Sequence, residues 1–335
     1  MLKLNSLSGF GSGVSGAAGV TPVNGYWIGG NDGSATDTAD RIVFATGVTA
    51  AHTDANFDTV KTYHSAISDP QGGNGYSSGG YDGNATDTTE KTVYSTGATS
   101  AATDTDLATA ENAAASFGDG LGTAGYFIGG QYKPGNNFIA QKLTYATETY
   151  ALSSDADFSI GTGRKESTSV SDNALAGYTS GGEVTDEVPD GGDAYTVTTE
   201  KTVFATSTTA AATDANLSQA RGFHGSLSDA SLAGFFLGGA IGGGNFSLVA
   251  DKLTFATETM ATATDADLSA TRYYMRGHHV SDKVNGYIAG GSDSSYNRLS
   301  LCERLVFATD TTATHTDGDL SSAKWTHHGM SDGIG

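Results

Sequence analysis

Three short motifs of apolar and polar residues return in the same order six times along the chain. The first is an apolar segment flanked by glycines, such as GYWIGG or GFFLGG, and it begins at residues 25, 75, 125, 177, 234 and 286. The second contains an aromatic residue two positions before its end, as in KLTFAT at residue 252, and the third, of the type TDADL, begins nine residues after each aromatic residue. This constant interval predicts a hairpin of fixed register, whereas the variable stretch between the first two motifs predicts surface loops.

Each repeat is predicted to form four β-strands. One is the glycine-flanked segment, the next is represented by KLTFATET, a third is a short strand near TDADL, and the last is represented by ARGFHGSLSD at residues 220–229. No helical spacing of apolar residues at i, i+3 and i+4 continues through a repeat. Because four-stranded units spaced 50 to 57 residues apart are typical of a β-propeller, we expect an all-β fold with six blades.

The end of the chain predicts how the ring of blades is closed. Residues 324–335, KWTHHGMSDGIG, match the last strand of a repeat, but no glycine-flanked strand follows them. The repeat that begins at residue 25 lacks such a strand before it. We therefore expect the C-terminal strand to pair with the first N-terminal propeller strand, so that residues 25–335 form one propeller domain preceded by an arm of residues 1–24.

Composition and charge narrow the range of partners. The chain has 47 Gly and only 4 Pro, which suits many short strands joined by tight turns. Acidic residues outnumber basic ones by 37 to 17, which argues against nucleic acid as a partner.

The N-terminal sequence MLKLNSLSGFGSG lacks the apolar run of a secretory signal, and no apolar stretch is long enough to insert into a membrane. Cys302 is the only cysteine, so an intrachain disulfide is excluded.

Motifs of established catalytic chemistry are missing from the sequence. It contains no GxSxG elbow, no phosphate-binding loop, no HExxH and no cysteine pair. We therefore expect a protein that is not an enzyme and that needs no cofactor. Catalysis by a pair of carboxylates remains open as an alternative, because acidic residues are abundant.

The repeats resemble those of the kelch family. In that family a basic residue opens an inner strand, a glycine-rich strand ending in a Gly pair follows, and an aromatic-containing strand comes after a variable loop. Residues 217–239, LSQARGFHGSLSDASLAGFFLGG, followed by KLTFATET, are similar to this pattern, and the resemblance extends over about 310 residues. The Trp that usually follows the third strand is replaced here by the TDADL turn, so the chain resembles a kelch-like variant.

The kelch resemblance places a set of basic residues at the mouth of the central channel, where Arg or Lys could bind acidic ligands. One repeat carries Glu111 near this place, and neighbouring acidic residues could instead neutralise the basic ones. The candidate binding residues are Lys61, Arg164, Arg221, Arg272 and Lys324. Histidines recur farther along the same strands, and we expect them to line the channel or to pack rather than to bind a metal; they are His64, His224, His278, His279, His327 and His328.

The variable loops carry a second set of candidate binding residues. The longest insertion, residues 183–200, is acidic and contains Tyr195, and aromatic residues occupy the corresponding loops of other repeats. Exposed aromatic side chains beside polar groups suit sugar or protein recognition. The candidates are Tyr81, Tyr132, Tyr195, Phe246 and Tyr296. The Asp-rich loops at 31–40 and 81–90 lack the spacing of an EF-hand, so calcium binding is only an alternative to polar turns.

The N-terminal arm and the repeat style suggest where the protein acts. Residues 1–24 are rich in Gly, Ser and Ala, and their apolar anchors are Leu2, Leu4, Leu7 and Phe10. N-terminal sequences such as NSLSGFGSG are similar to those of bacteriophage structural proteins. The resemblance implies a non-enzymatic structural or binding protein of a phage tail or capsid appendage, assembled in the host cytoplasm and present in several copies. The arm would attach to other virion proteins, and the loops would bind a host glycan or protein. The alternative is a propeller that binds or hydrolyses cell-surface polysaccharide.

Overall fold

The computed structural model describes residues 21–132, 135–136, 138–159, 163–184, 194–276 and 280–333. Most of the predicted arm, including Leu2, Leu4, Leu7 and Phe10, lies outside the described residues, as do His278 and His279. The described chain is all-β, and six similar antiparallel sheets follow one another along it. We number these sheets 1 to 6 in chain order and their strands one to four from the innermost outward.

Five of the six sheets have four strands, and sheet 6 has three. The first strands of sheets 1 to 5 are His328–Ser331, Ser65–Asp69, Ala115–Gly118, Thr168–Ser171 and Gly225–Ser228. The second strands of sheets 1 to 6 are Asn24–Ile28, Asn74–Ser78, Ala124–Ile128, Ala176–Ser180, Ala233–Gly242 and Asn285–Ala289. In sheet 6 the place of the first strand is taken by a bridge from Ser281 to Gly286.

The outer half of each sheet is a hairpin. The third strands are Ala39–Val43, Thr89–Val93, Ala140–Thr144, Thr199–Val203, Asn245–Thr254 and Cys302–Val306. The fourth strands are Val48–Ala51, Ala98–Ala101, Thr149–Leu152, Thr208–Ala211, Thr259–Thr262 and Thr311–Thr314. A 3-10 helix follows each fourth strand, at Thr53–Ala55, Thr103–Thr105, Ser154–Ala156, Thr213–Ala215, Thr264–Ala266 and Thr316–Gly318.

Short strands add to the loops beyond this repeated pattern. Gln131–Tyr132 pairs with Gly135–Asn136 in a two-stranded ribbon. Arg164–Lys165, Glu183–Val184 and Ala194–Tyr195 form a separate three-stranded sheet. Among the described residues, no helix has both the length and the apolar character that crossing a bilayer requires.

The hairpin differs in detail from the sequence-based prediction. The KLTFATET segment is not one strand, because the third strand of sheet 5 ends at Thr254 and a turn over residues 255–258 leads into the fourth strand. The short strand predicted near TDADL is the fourth strand, Thr259–Thr262 in sheet 5, and the TDADL segment itself begins with the 3-10 helix Thr264–Ala266. The turn residue Glu258 has a φ of 54°. This left-handed backbone position ends the third strand and reverses the chain, and it is not visible as a break in the apolar pattern.

Sheet 1 joins the two ends of the described chain. Its first strand, His328–Ser331, pairs antiparallel with Asn24–Ile28, with Ser331 opposite Gly25 and His328 opposite Ile28. The Asp332 carboxylate accepts a hydrogen bond from the backbone N–H of Val23 at 2.7 Å. The predicted pairing of the C-terminal strand with the first N-terminal strand is therefore present.

Neighbouring sheets contact each other through a repeated aromatic pair. In each contact a Tyr or Phe on the second strand of one sheet stacks near the aromatic residue after the third strand of the next sheet, with ring centroids 5.7–6.0 Å apart. The pairs are Tyr26–Tyr94, Tyr76–Tyr145, Tyr126–Phe204, Tyr178–Phe255, Phe235–Phe307 and Tyr287–Phe44. The last pair connects sheet 6 back to sheet 1. These contacts confirm that the GY tyrosines and the FAT aromatics form the core between sheets.

The glycine before each second-strand aromatic is required by the neighbouring sheet. A Cβ atom built on Gly75 would lie 2.1 Å from the Met330 sulfur, and one built on Gly125 would lie 2.1 Å from the Ile67 side chain. The equivalent glycines at 25, 177, 234 and 286 meet the preceding sheet in the same way, at 2.2–2.8 Å. Any larger residue would overlap with the core between sheets, which explains why this position never varies among the repeats.

The TDADL motif joins the outer and inner parts of each sheet. Its Asp or Asn accepts a hydrogen bond from a backbone N–H of the third strand, at 2.6–2.9 Å in all six sheets. The donor is the first residue of the strand in five sheets and lies inside the longer third strand of sheet 5. In sheet 5, for example, Asp267 binds the N–H of Ala250, and Leu268 after it is buried against the core. The motif is therefore architectural, although its side chains do not cap the 3-10 helices themselves. Together these features make a β-propeller-like all-β architecture.

Candidate functional site

The five basic residues predicted at the channel mouth are buried and paired. Each lies between two sheets and forms an ion pair with a carboxylate on the third strand of the following sheet, with side chains no more than 2% exposed. The N···O distances are 3.3 Å for Lys61–Glu90, 2.8 Å for Arg164–Glu200, 2.6 Å for Arg221–Asp251, 2.7 Å for Arg272–Glu303 and 3.0 Å for Lys324–Asp40. A ligand could reach these groups only if the pairs opened, so their binding of acidic ligands remains a prediction.

The second repeat inverts the charge of this pair. Glu111 occupies the position of the basic residue, and Gln141 replaces the carboxylate on the third strand. Gln141 exchanges hydrogen bonds with the backbone of Thr109 at 3.0 Å. Burial raises the pKa of Glu111 to about 8, an effect that the Gln141 amide opposes. The carboxyl group therefore keeps its proton in the folded protein at pH values where the unfolded chain has lost it.

Replacing Glu111 with Gln is expected to stabilise the protein increasingly as the pH rises from 5 to 8. In this range the unfolded chain has released the Glu111 proton and the folded chain retains it, so wild-type stability falls with pH. The variant has no carboxyl group at this position, so its stability does not fall with pH for this reason. The free energy of unfolding of the variant minus that of the wild type should therefore grow by up to about 1.4 kcal/mol per pH unit. Urea denaturation at pH 5 and pH 8 measures it.

Glu148→Gln is the control for this prediction. The Lys91 side chain lowers the pKa of Glu148, which is partly exposed. Its replacement should therefore not stabilise the protein more at pH 8 than at pH 5. A stability difference for Glu111→Gln that stays constant between the two pH values would contradict the burial of a protonated carboxyl group.

Two residues after each of these buried positions, the chain takes up a left-handed conformation. The φ angles lie between 53° and 63° at Tyr63, Ala113, Glu166, Phe223, Tyr274 and Thr326. Such angles are uncommon for residues with side chains and are unfavourable for bulky or β-branched ones. Six equivalent residues in this conformation indicate that the linkers between sheets are constrained in the same way.

Backbone hydrogen bonds connect these six residues in a closed circle. The N–H of Ala113 donates to Tyr63 at 2.8 Å, that of Glu166 to Ala113 at 3.1 Å, and that of Phe223 to Glu166 at 3.0 Å. The circle continues through Met275 to Phe223 at 3.4 Å, Thr326 to Tyr274 at 3.1 Å and Tyr63 to Thr326 at 3.3 Å. The six linkers therefore follow one another around the axis of this circle, and the side chains of Tyr63, Glu166, Phe223 and Tyr274 line one cavity at one end of it.

An aromatic cluster occupies this end of the axis. Tyr274 contacts Phe223 with ring centroids 4.6 Å apart, Tyr273 at 4.5 Å and Trp325 at 5.2 Å. Tyr273 stacks on Phe246 at 4.1 Å. Three of the predicted loop residues belong to the cluster: Phe246 itself, Tyr296, which lies edge-on to Phe246 at 6.0 Å, and Tyr195, which lies edge-on to Phe223 at 6.3 Å. The aromatic cluster thus consists of Tyr195, Phe223, Phe246, Tyr273, Tyr274, Tyr296 and Trp325.

Two cavities border the aromatic cluster and share Phe223 and Tyr274 as walls. The first, which we call the channel cavity, has a volume of about 340 Å³ and is lined by Tyr63, Tyr81, Ala85, Asn112, Gln131, Lys165, Glu166, Phe223 and Tyr274. The second, the loop cavity, has a volume of about 270 Å³ and is lined by Glu183, Tyr195, Phe223, Ala240, Gly242, Gly243, Gly244, Asn245, Phe246, Tyr273, Tyr274 and Tyr296. Both volumes are close to the lower end of the range found for small-molecule sites.

The charged groups around the two cavities are paired with each other. Lys165 forms an ion pair with Glu183 at 3.0 Å, and Arg276 forms one with Glu166 at 2.7 Å. Burial raises the pKa of Glu166 to about 7, and the Arg276 charge opposes this rise. The cavities therefore combine aromatic faces and side-chain amides with charges that are neutralised within the wall.

The remaining predicted residues include a tyrosine of a cavity wall, a residue of a short strand and four buried histidines. Tyr81 lines the channel cavity, and Tyr132 lies on the short strand Gln131–Tyr132. His64, His224, His327 and His328 are buried, and burial lowers the pKa of the first three well below its usual value. In the ranges that the structure describes, no group of three His, Cys, Asp or Glu side chains is arranged to hold a metal ion.

Sequence reasoning missed Tyr63, Phe223, Tyr273 and Tyr274, which line the cavities, and Trp325, which contacts Tyr274. Their signal lies in an alignment of the repeats with one another. One or two residues after the buried position the sequence varies widely, as in KTY, ENA, RKE, RGF, RYY and KWT, between positions that hardly vary. A variable position inside a regular repeat indicates a surface that the fold does not constrain.

Comparisons with known proteins do not assign this chain to a family. No protein-family model matches it, and no curated protein has significant sequence similarity to it.

Proposed function

We propose that the chain is a six-bladed, kelch-like β-propeller in which the C-terminal strand closes the ring. The aromatic pair Tyr287–Phe44 between sheets 6 and 1 supports this, because it repeats the contact made between every other two consecutive sheets. The circle of backbone hydrogen bonds at the linkers is a second support. Closure leaves few exposed sheet edges, so the loops and linkers remain for recognition.

We infer that the propeller is a non-enzymatic recognition module. The observation that carries this proposal is the aromatic cluster at the end of the axis, where six of the seven aromatic side chains line one or both of two cavities. Aromatic side chains with nearby amides bind ligands through large apolar contact areas and a few directed hydrogen bonds. The same face carries the variable loops, whose lengths differ from repeat to repeat.

In this proposal the protein is a component of a bacteriophage particle, either part of the tail or a capsid appendage. Residues 1–24 attach it to other virion proteins, and the loop face binds a glycan or protein on the host surface. The support is the Gly- and Ser-rich arm with its apolar anchors and the resemblance of the N-terminal sequence to phage structural proteins. Several copies on one particle would strengthen weak individual contacts.

Glycan hydrolysis is the second candidate function. Glu166 lines the channel cavity, and burial raises its pKa to about 7, as required of a general acid that works near neutral pH. The ion pair between Glu166 and Arg276 favours a structural role instead, because the Glu166 carboxylate already binds the Arg276 guanidinium.

A glycan array combined with a reducing-sugar assay tests the two functions on the intact protein. We expect binding to host surface glycans or intact host cells and no release of reducing ends. Sustained turnover, lost in Glu166→Gln, would establish the hydrolytic function in place of the recognition function. Mass spectrometry of purified phage particles tests the location, and absence of the protein from particles would overturn the virion part of the proposal.

A further inference from the structure

The channel cavity and the loop cavity have the properties of two adjoining subsites. They are separated only by Phe223 and Tyr274, whose rings lie 4.6 Å apart and nearly perpendicular to each other. Both side chains are half-buried, so part of each ring is accessible from the cavities. A ligand made of repeating small rings can therefore occupy both cavities while it contacts this shared wall.

The chemistry of the walls favours sugar rings as these units. The apolar C–H face of a pyranose packs against an aromatic ring, and its hydroxyl groups exchange hydrogen bonds with amides and carboxylates. Asn112 and Gln131 line the channel cavity, and Asn245 lines the loop cavity. Each cavity thus offers aromatic faces together with groups that can both donate and accept hydrogen bonds.

The charges around the site favour a neutral saccharide. The Lys165–Glu183 and Arg276–Glu166 pairs leave no excess positive charge on the described wall. The chain as a whole carries a formal charge of -20, which repels polyanions. An anionic polysaccharide would therefore find no unpaired cationic side chain among the described residues that line the two cavities.

Phe223 and Tyr274 are bulky residues at positions where all six linkers adopt a left-handed backbone conformation. Phe223 and Tyr274 have φ angles of 56° and 59°, in a region where glycine is favoured over residues with side chains. Bulky residues held in this region are concentrated at ligand sites, where the surrounding structure compensates for the strain. Glycine at either position would relieve the backbone and remove only the ring.

We propose that the channel cavity and the loop cavity together bind a neutral oligosaccharide, with Phe223 and Tyr274 as the aromatic wall between two neighbouring sugar units. This inference rests on the proposed recognition function and adds to it the site and the ligand class. Tyr81 lines the channel cavity and Tyr296 the loop cavity, and both side chains are exposed, so they extend the contact to further units.

Titration of the full-length protein with defined oligosaccharides tests this proposal. The probes are neutral homo-oligomers of glucose, galactose, mannose and N-acetylglucosamine with one to five units, compared with oligomers of galacturonate and guluronate. Trp325, 5.2 Å from Tyr274, reports binding by its fluorescence, while Trp27 is fully buried and provides a constant background. We expect at least one neutral series to bind, with affinity rising from one unit to two or more.

Two glycine variants locate the site. Phe223→Gly and Tyr274→Gly should each weaken binding by about tenfold or more, the loss expected for an anchoring aromatic residue, while the melting temperature stays close to that of the wild type. Ala230→Gly is the matched control, because Ala230 has a φ of 67° in a turn between the first two strands of sheet 5. It should leave affinity unchanged.

The outcomes separate this inference from the proposed function. Unchanged sugar affinity in both folded glycine variants, or binding of the anionic series alone, overturns the site or the ligand class. Binding of intact host cells without binding of any neutral oligosaccharide also overturns the inference but leaves the recognition function intact. Absence of binding to both cells and oligosaccharides overturns the recognition function as well.

Discussion

Deletion of residues 324–335 is expected to abolish the cooperative unfolding transition of the protein. The deletion removes the strand that pairs with Asn24–Ile28, the fully buried Met330 side chain and the Lys324 partner of the buried Asp40. It leaves both a sheet edge and a carboxylate unpaired inside the contact between sheets. We expect the loss to exceed the whole stability of a typical domain, about 5–15 kcal/mol. Near-ultraviolet circular dichroism and thermal denaturation measure it.

Addition of the missing segment as a peptide provides the control for the deletion. A synthetic peptide of residues 324–335 should restore the near-ultraviolet signal of the truncated protein, and a scrambled peptide should not. Met330→Ala in the full chain should cost only about 2–5 kcal/mol, as for other large-to-small core substitutions. If the truncated protein unfolds cooperatively at the wild-type temperature, the C-terminal strand does not contribute to stability and the proposed closure is wrong.

Replacement of Arg221 by Ala is expected to cost about 3–5 kcal/mol of stability, because it leaves the buried Asp251 carboxylate without its partner. The two side chains are fully buried, with an N···O distance of 2.6 Å. Arg221 also donates hydrogen bonds to the carbonyl groups of Val249 at 2.8 Å and Phe236 at 3.1 Å. One side chain therefore connects the linker after sheet 4 to two strands of sheet 5. Urea denaturation of the variant and the wild type measures the difference.

The partly exposed pair Lys201–Glu258 is the matched control for Arg221. Its side chains are 26% and 46% exposed, so solvent screens their interaction, and Lys201→Ala should cost at most about 1 kcal/mol. The double variant with Arg221→Met and Asp251→Leu should recover much of the stability lost in Arg221→Ala, because it leaves no buried charge unpaired. Equal losses for Arg221→Ala and Lys201→Ala would show that burial does not determine the strength of these pairs.

Much of the architecture could be predicted from the sequence because each signal occurs six times. The GY and FAT aromatics recur in every repeat, and the structure pairs them across all contacts between consecutive sheets. The missing strand before residue 25 and the surplus strand at 324–335 predicted the pairing that is present in sheet 1. Repetition separates positions that the fold requires from positions that vary, even in a single sequence.

The role of the basic residues could not be predicted in the same way. Arg221 and Asp251 are 30 positions apart in sequence, and only the packing of the linker against the next sheet brings them together. A signal was present in the second repeat, where Glu111 and Gln141 change together. This joint change indicates contact between the two positions, because a carboxylate opposite a carboxylate would be unfavourable inside the protein.

The sequence alone determined the all-β class, the number of repeats and the aromatic residues that pack between sheets, since these depend on local periodicity and on contacts between neighbouring repeats. Only the tertiary structure decided that Phe223, Tyr274 and Trp325 belong to one aromatic cluster. These residues come from different linkers and have no periodic apolar pattern. They meet because hydrogen bonds between successive linkers place six chain segments around one axis, and such convergence is a property of the assembled sheets rather than of any single repeat.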